Sequence, residues 1–277
     1  MKSINCKGKL IDLDTPKVMG ILNITPDSFY DGGSYKDEQD ILRQAEKMLI
    51  DGATFIDVGA YSSRPGATDI SVDEECKRLI PMVKLLVNNF PEILLSVDTF
   101  RAKVAQEALL VGASLINDIS AGLIDDQMLQ TVSELKVPYV LMHMQGTPQT
   151  MKMLTQYEDL VKEVIFYLSK RVAAARALGI NDVIIDPGFG FAKTVSQNFK
   201  LLNAADQLQI LDLPLLIGLS RKSMITKTLD VDAQSALNGT SVLNTIALEK
   251  GASILRVHDV KEAVEAVKLY QTLIASA

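Results

Sequence analysis

Three oxygen-bearing side chains, Asp98, Asn117 and Asp186, each stand at the end of a short apolar run, and Lys222 follows a fourth run a few residues later. Acceptors of this kind suit a flat, donor-rich heterocycle. A carboxylate can receive two adjacent N–H groups from an aminopyrimidinone edge, while an ammonium meets the ring oxygen or nitrogen. Met142 and Phe191 would supply apolar faces for such a ring. Each residue has a plainer reading, since a strand-end Asp often caps the next helix and a Met in an apolar run belongs to a core. The joint placement favours a site: Asn23, Asp57, Asp98, Asn117, His143, Asp186, Ser220 with Arg221, and Arg256 with His258 all lie at the ends of eight such runs.

A second group reads as an anion site. Arg256 and His258 flank Val257, and in extended chain residues two apart point the same way. The following Asp259-Val260-Lys261-Glu262 has the spacing of a capping box, which predicts a helix start, with its free N–H groups and positive dipole end, beside the pair. Phosphate suits that arrangement; the plain alternative for His258 is a buried imidazole with no ligand. Arg64, in a turn-rich loop, could close on the same anion. Asn23 offers an oxygen to a Mg²⁺ that keeps its waters and substrate oxygens, or else merely forms the turn before Thr25-Pro26.

The elements that must carry these residues recur regularly. Strand-length apolar runs occur at Val18 to Leu22, Phe55 to Val58, Ile93 to Val97, Ser114 to Ile116, Tyr139 to Met142, Val183 to Ile185, Leu215 to Ile217 and Ile254 to Leu255. Most are too continuous for half-exposed strands and suit parallel strands buried on both faces. Between them the pattern is helical, most clearly over Thr155 to Leu178, where Leu160, Val164, Leu168 and Val172 share one face. Gly52-Ala53-Thr54, Gly112-Ala113-Ser114 and Gly251-Ala252-Ser253, with Gly179 in a similar place, repeat one helix-to-strand exit. A repeated strand-helix unit predicts an α/β chain, a (β/α)8 TIM barrel forming a single domain over residues 1–277. Ile4 to Asp14 alternates loosely and is expected to be a short N-terminal β-hairpin closing the barrel's bottom.

Bulk properties narrow the field. With 48% hydrophobic residues the chain can fill a core, and a net charge of −6 without a basic run argues against a nucleic-acid surface. No apolar stretch approaches the roughly 20 residues that span a bilayer, and the first residues lack a secretory signal's apolar core, so a cytoplasmic protein with no membrane partner is expected. Cys6 and Cys76 read as two reduced thiols. Two histidines are too few for a His-rich zinc site, and neither a GxGxxG nor a GxxxxGK[ST] loop appears.

Eight segments, in order along the chain, carry a resemblance: Gly20-Ile21-Leu22-Asn23-Ile24-Thr25-Pro26-Asp27-Ser28-Phe29, Ser63-Arg64-Pro65-Gly66, Ser96-Val97-Asp98-Thr99, Ile116-Asn117-Asp118, Met142-His143-Met144, Asp186-Pro187-Gly188-Phe189-Gly190, Ser220-Arg221-Lys222-Ser223 and Arg256-Val257-His258-Asp259. In these the chain resembles the dihydropteroate synthases, barrel enzymes of folate biosynthesis that are usually homodimers and are the targets of sulfonamides. The resemblance implies 6-hydroxymethyl-7,8-dihydropterin diphosphate and 4-aminobenzoate as substrates, with Mg²⁺. It implies that Asp98, Asn117, Asp186 and Lys222 hold the pterin, with Met142, Gly218 and Phe191 packed around the ring. Asn23, Arg64, Arg256 and His258 would meet the diphosphate and Mg²⁺. Thr25, Phe29, Ser63 and Pro65 would enclose the aminobenzoate, with its carboxylate near Ser223. Asp98, Lys222, Arg256 and His258 would carry the chemistry, an SN1-like loss of diphosphate.

The chain departs from the family pattern in three places. Tyr61 stands where an acidic residue is expected nearby, Ser63 where Thr is common, and Ala192 where Gly often follows the Phe. The alternatives are a pterin-binding methyltransferase, which has no use for a diphosphate clamp, and a silent pterin-binding protein, in which Asp98, Lys222 or Arg64 would be lost. All three are present.

Overall fold

Alternation along short strands decides which side chains face a barrel axis, and here it separates an apolar floor from a polar mouth. The computed structural model describes residues 2–23, 35–61 and 70–276. β1 (Ser3–Cys6) and β2 (Lys9–Asp12) form the expected antiparallel hairpin. Next come β3 (Lys17–Asn23), α1 (Tyr35–Ile50), β4 (Phe55–Gly59), α2 (Val72–Asn89), β5 (Leu95–Asp98), α3 (Ala102–Leu110), β6 (Leu115–Asp118) and α4 (Met128–Leu135). The chain continues with β7 (Tyr139–Met142), α5 (Leu160–Ala177), β8 (Val183–Asp186), α6 (Val195–Asn203), β9 (Leu216–Ile217), α7 (Ser223–Leu229), α8 (Leu237–Glu249), β10 (Ile254–Val257) and α9 (Val260–Ala275).

The larger sheet runs β8-β7-β6-β5-β4-β3-β10-β9, every pairing parallel, and a parallel bridge between Ile185 and Leu215 joins its two ends. This is the (β/α)8 barrel with its N-terminal hairpin. Several strands run further than their apolar cores: β5 ends on Asp98, β6 on Asp118, β8 on Asp186 and β10 on Val257. The polar residues still pair in the ladder, Asp98 opposite Asn117 and Met142 opposite Asp186, so the site begins inside the sheet.

The helix expected from Thr155 starts instead at Leu160. The Asp159 carboxylate accepts from the Lys162 N–H at 3.4 Å, and Glu163 Oε1 accepts from the Asp159 N–H at 2.9 Å. This reciprocal cap fixes the first turn beyond Tyr157. The stripe of Leu160, Val164, Leu168 and Val172 is buried as its spacing requires. At the helix exits, Gly52, Gly112, Gly179 and Gly251 all have positive φ, between +82° and +120°, where a Cβ would be strained.

Met19, Phe55, Leu94, Leu115, Val140, Ile184, Leu216 and Ile254 pack with Ile4, Cys6, Ile11 and Leu13 of the hairpin segment in one buried cluster. The hairpin therefore plugs the bottom. Two residues further along each strand the inward positions are Ile21, Asp57, Ser96, Asn117, Met142, Asp186, Gly218 and Arg256. If the hairpin is part of the core, Ile4→Ala should lower unfolding free energy by about 2–5 kcal/mol, read as a shifted urea midpoint. A midpoint unchanged within error would show that the plug is only apposed.

Candidate active site

The centre of the mouth is a cation between acids. Arg256, inward on β10, donates from Nε to Asp57 Oδ2 at 2.6 Å and from Nη2 to Asp98 Oδ2 at 2.9 Å, so one guanidinium ties β10 to β4 and β5. Asn117 on β6 reaches the same Asp57 oxygen with its Nδ2 at 3.4 Å. Asp57 is fully buried, and its Oδ1 has no hydrogen-bond partner among the described residues. Burial pushes Asp98 up to about 7, with Asp57, Glu75 and Asp118 adding to the rise and the Arg256 charge opposing it. Burial works against the Arg256 charge too, but the carboxylates of Asp57 and Asp98 hold it above its ordinary value.

Across the mouth, Asp186 ends β8 and its Oδ1 accepts from the Gly188 N–H at 2.7 Å. Burial raises its carboxyl, and nearby Lys222 acts in the opposite sense. Lys222 donates from Nζ to the Phe189 carbonyl and lies 5.2 Å from the centre of the Phe191 ring. Burial lowers it to about 8, against the pull of Asp186. Three carboxyls, Asp57, Asp98 and Asp186, thus share the mouth with Arg256 and Lys222, and Lys193 acts on Asp186 as a third cation. Around Arg256 itself two carboxyls, Asp57 and Asp98, meet one cation. A Cβ at Gly218 would lie 3.8 Å from both Arg256 Cβ and Lys222 Nζ, so this glycine opens space beside the cations and relieves no clash.

Apolar walls complete the slot. Met142 and Ala192 are buried with Phe100, Ile119, Met144 and Met151, and Phe191 and Tyr61 pack against that cluster. Tyr61, the departure from the family pattern, meets the Phe100 ring edge-on at 5.0 Å, and its hydroxyl accepts from Gln149 Nε2 at 2.9 Å. Ala192 adopts φ +48°, the left-handed conformation that glycine takes without strain, at about 1–2 kcal/mol for a residue with a Cβ.

Two side chains to which the strand-end reading assigns no role are central here. One is Asp57, whose signal is a carboxylate enclosed in the apolar run Phe55-Ile56-Asp57-Val58. The other is Lys193, the cation closing the loop Gly188-Phe189-Gly190-Phe191-Ala192. Its buried Nζ sits 2.9 Å from His143 Nδ1, 2.9 Å from the Gly188 carbonyl and 3.0 Å from the Phe191 carbonyl.

On the anion side the expectation needs one correction. Asp259 precedes α9 but makes no side-chain cap, because Arg221 takes its carboxylate, Nε to Oδ2 at 3.1 Å and Nη2 to Oδ1 at 2.5 Å. The capping box is therefore not formed. Arg256 is turned to the carboxylates of Asp57 and Asp98, leaving Nη1 without a hydrogen bond among the described residues. His258 is oriented by Ser220, whose Oγ lies 3.0 Å from Nδ1 and accepts the His258 backbone N–H at 3.2 Å. Asp186 and His258 share one rim, on β8 and just beyond β10 with β9 between them. Ser223 is the exposed first residue of α7. Asn23 ends β3 opposite Gly59. Thr25, Phe29, Ser63, Arg64 and Pro65 lie outside the described residues. Both thiols are buried and unpaired, and burial pushes Cys6 up to about 12 and Cys76 to about 11, so neither offers a thiolate at neutral pH.

Residues 19–258 match the family model described as pterin binding enzyme. The chain is 43% identical over 272 residues to the dihydropteroate synthase of Escherichia coli (strain K12), covering 98% of this chain and 96% of that one. The chain belongs to the dihydropteroate synthase family. Among solved structures, the Yersinia pestis dihydropteroate synthase in complex with a sulfonamide drug superposes with a TM-score of 0.92 at 40% identity, covering 99% of this chain and 100% of that one. The Xanthomonas albilineans dihydropteroate synthase with 4-aminobenzoic acid gives 0.90 at 39% identity, covering 99% and 98%. The expected fold, pterin-binding transferase class and family are thereby borne out.

The charge balance of this mouth has a measurable sign. Because the folded value of Asp98 lies above the roughly 3.9 of an unfolded chain, folding takes up a proton between about pH 4 and pH 7. Its contribution to stability therefore falls as pH rises through that window. Carboxyl ¹³C NMR should find the Asp98 midpoint well above 4, and Arg256→Met should raise it further by removing the opposing charge. A lower midpoint in the variant would contradict the pairing.

Proposed function

We propose that this mouth joins 6-hydroxymethyl-7,8-dihydropterin diphosphate to 4-aminobenzoate, giving 7,8-dihydropteroate and diphosphate in folate biosynthesis. The observation that carries the mechanism is the buried excess of carboxyls over cations around Arg256. A slot so charged is hostile to a second anion and favourable to a cation.

In this reading Asp186, Asn117 and Asp98 accept the N–H groups of the pterin edge, Lys222 donates to its ring oxygen or nitrogen, and Met142 and Phe191 pack on its faces. The C–O bond to diphosphate breaks with its electron pair leaving on oxygen, and the methylene cation so formed is delocalised into the pterin. Asp98 stabilises that cation. The lone pair of the neutral arylamine forms the C–N bond, and the amine releases a proton. Arg256 holds Asp98 and Asp57 in place and offers Nη1 to the leaving group, with His258 beside it. Because water would trap the cation, Thr25, Phe29, Ser63, Arg64 and Pro65 are assigned to covering the site, and Ser223 to the aminobenzoate carboxylate.

For Mg²⁺, the described residues contain no cluster of three or more His, Cys, Asp or Glu that could hold a metal ion. The donor set fits an ion that arrives with the diphosphate and keeps its waters, with Asn23 at the end of β3 as a protein ligand. Bound there, Mg²⁺ would offset charge on the departing diphosphate. We further read the chain as one pterin-binding barrel domain over residues 1–277, homodimeric and cytoplasmic; among the described residues no helix is long and apolar enough to cross a membrane.

A coupled assay for diphosphate release tests the reading. Release should require pterin diphosphate, 4-aminobenzoate and Mg²⁺ together, and amine-independent release would indicate a hydrolase. Asp98→Asn should lower kcat on the order of 10²–10³-fold at saturating substrates, the usual scale for losing a group aimed at developing charge. Full turnover in this variant would remove Asp98 from cation stabilisation.

A further inference from the structure

The loop between β8 and α6 is gripped from two sides. Lys222 takes the Phe189 carbonyl, and a Cβ at Gly190 would lie 3.2 Å from the Lys222 Cδ, so the loop backbone packs on the Lys222 stem. Lys193 takes the carbonyls of Gly188 and Phe191, the neighbours on either side of that contact, and spends its third N–H on His143 Nδ1. All three ammonium donors are matched by neutral acceptors. Lysine is rarely buried, and Lys193 is only 8% exposed; burial lowers its amine to about 7 against the opposing pull of the Asp186 carboxylate. A surface polar residue could staple a loop at less desolvation, so the burial calls for another reason.

His143 supplies a fixed wall. It follows Met142 at the end of β7, and its N–H donates to the Asp186 carbonyl at 2.9 Å. Its ring meets Tyr167 edge-on at 4.8 Å. Burial and the Lys193 charge push the imidazole down to about 2, so it stays neutral with Nδ1 free to accept from Lys193. At Gly188, with φ +69°, a Cβ would fall 2.0 Å from the His143 carbonyl oxygen, so the loop is seated hard against β7.

We infer that Lys193 is a positioning residue of the pterin pocket, clamping the Gly188–Phe191 backbone onto the end of β7 so that its Phe189 carbonyl and Phe191 ring hold the Lys222 ammonium at the ligand. The inference rests on the assignment of Lys222 to the pterin, and it makes Lys193 act through Lys222 without touching substrate.

A double-mutant cycle reads that dependence. Binding of 6-hydroxymethylpterin is measured by calorimetry on the full-length protein, on Lys193→Met, on Lys222→Met and on the double variant, with thermal unfolding followed in parallel. Lys193→Met should weaken binding about tenfold, the scale of a lost charge-assisted contact, yet by less than about twofold in the Lys222→Met background. Its KM for 4-aminobenzoate should be unchanged. A tenfold loss in both backgrounds, or no loss in either, overturns the inference and leaves the pterin assignment standing. If Lys222→Met alone binds the pterin as tightly as the parent, the assignment of Lys222 fails and the inference with it. Should Lys193→Met not fold, Lys193→Gln, which keeps amide donors, carries the same cycle.

Discussion

A guanidinium with little access to water, held by carboxylates from two other strands, is the interaction on which the mouth depends. Arg256 on β10 meets Asp57 on β4 and Asp98 on β5, and none of the three is tolerable there alone. A buried ion without partners is worth several kcal/mol of instability, so the trio stands or falls together. Its residues come from strands far apart in sequence, and the contact forms only when the barrel has its right register. The same trio gives the site its electrical character. Around Arg256 two acids share one base, while Asp186 lies under the charges of both Lys222 and Lys193.

Support for this arrangement comes from below and from the side. The lower ring of apolar side chains, plugged by the hairpin, is buried, and it sets the height at which the first polar layer appears. At the side, Asp118 accepts from the Ser120 N–H at 2.7 Å, the Ser120 hydroxyl at 2.8 Å, the Gly122 N–H at 2.7 Å and the Tyr139 hydroxyl. The loop after β6 is thereby fixed against β7. Glu75, fully buried on α2, accepts from Thr99 Oγ1 at 2.7 Å and Arg101 Nη1 at 2.8 Å and so anchors the loop after β5. Preorganisation of this kind keeps charged groups from reorganising when charge develops on a ligand.

Much of this was legible in the order of residues because a parallel barrel has few free parameters. Continuous apolar runs of four or five residues, each ending in a polar one, can be buried on both faces only in such a sheet, and the repeated Gly-Ala-Thr/Ser exits mark its period. Asp98, Asn117 and Asp186 could be picked out because each breaks hydrophobicity at a strand end, and Lys222 because it follows another such run a few residues later. Asp57 was harder to value: its partner Arg256 lies 199 residues away, and no local pattern announces a three-strand ion pair. Lys193 was invisible for the opposite reason, since a lysine after a glycine-rich loop looks like an ordinary solvated cation until the fold buries it. The failed capping box at Asp259 has the same origin. Local spacing offered a bond within the turn, and a distant arginine offered a stronger one.

The position of β10 carries a consequence for how the chain reaches this state. Ile254 to Val257 lie between β3 and β9, so the eighth barrel strand is the keystone between the first and the seventh. Until it inserts, both neighbours present unpaired backbone to the solution, and the hairpin has an open ring beneath which to dock. A nascent polypeptide that has emerged only as far as α8 is therefore a sticky, half-circular object in need of shelter. Exposed strand edges and apolar surface of this kind are what make a partly formed chain prone to aggregate.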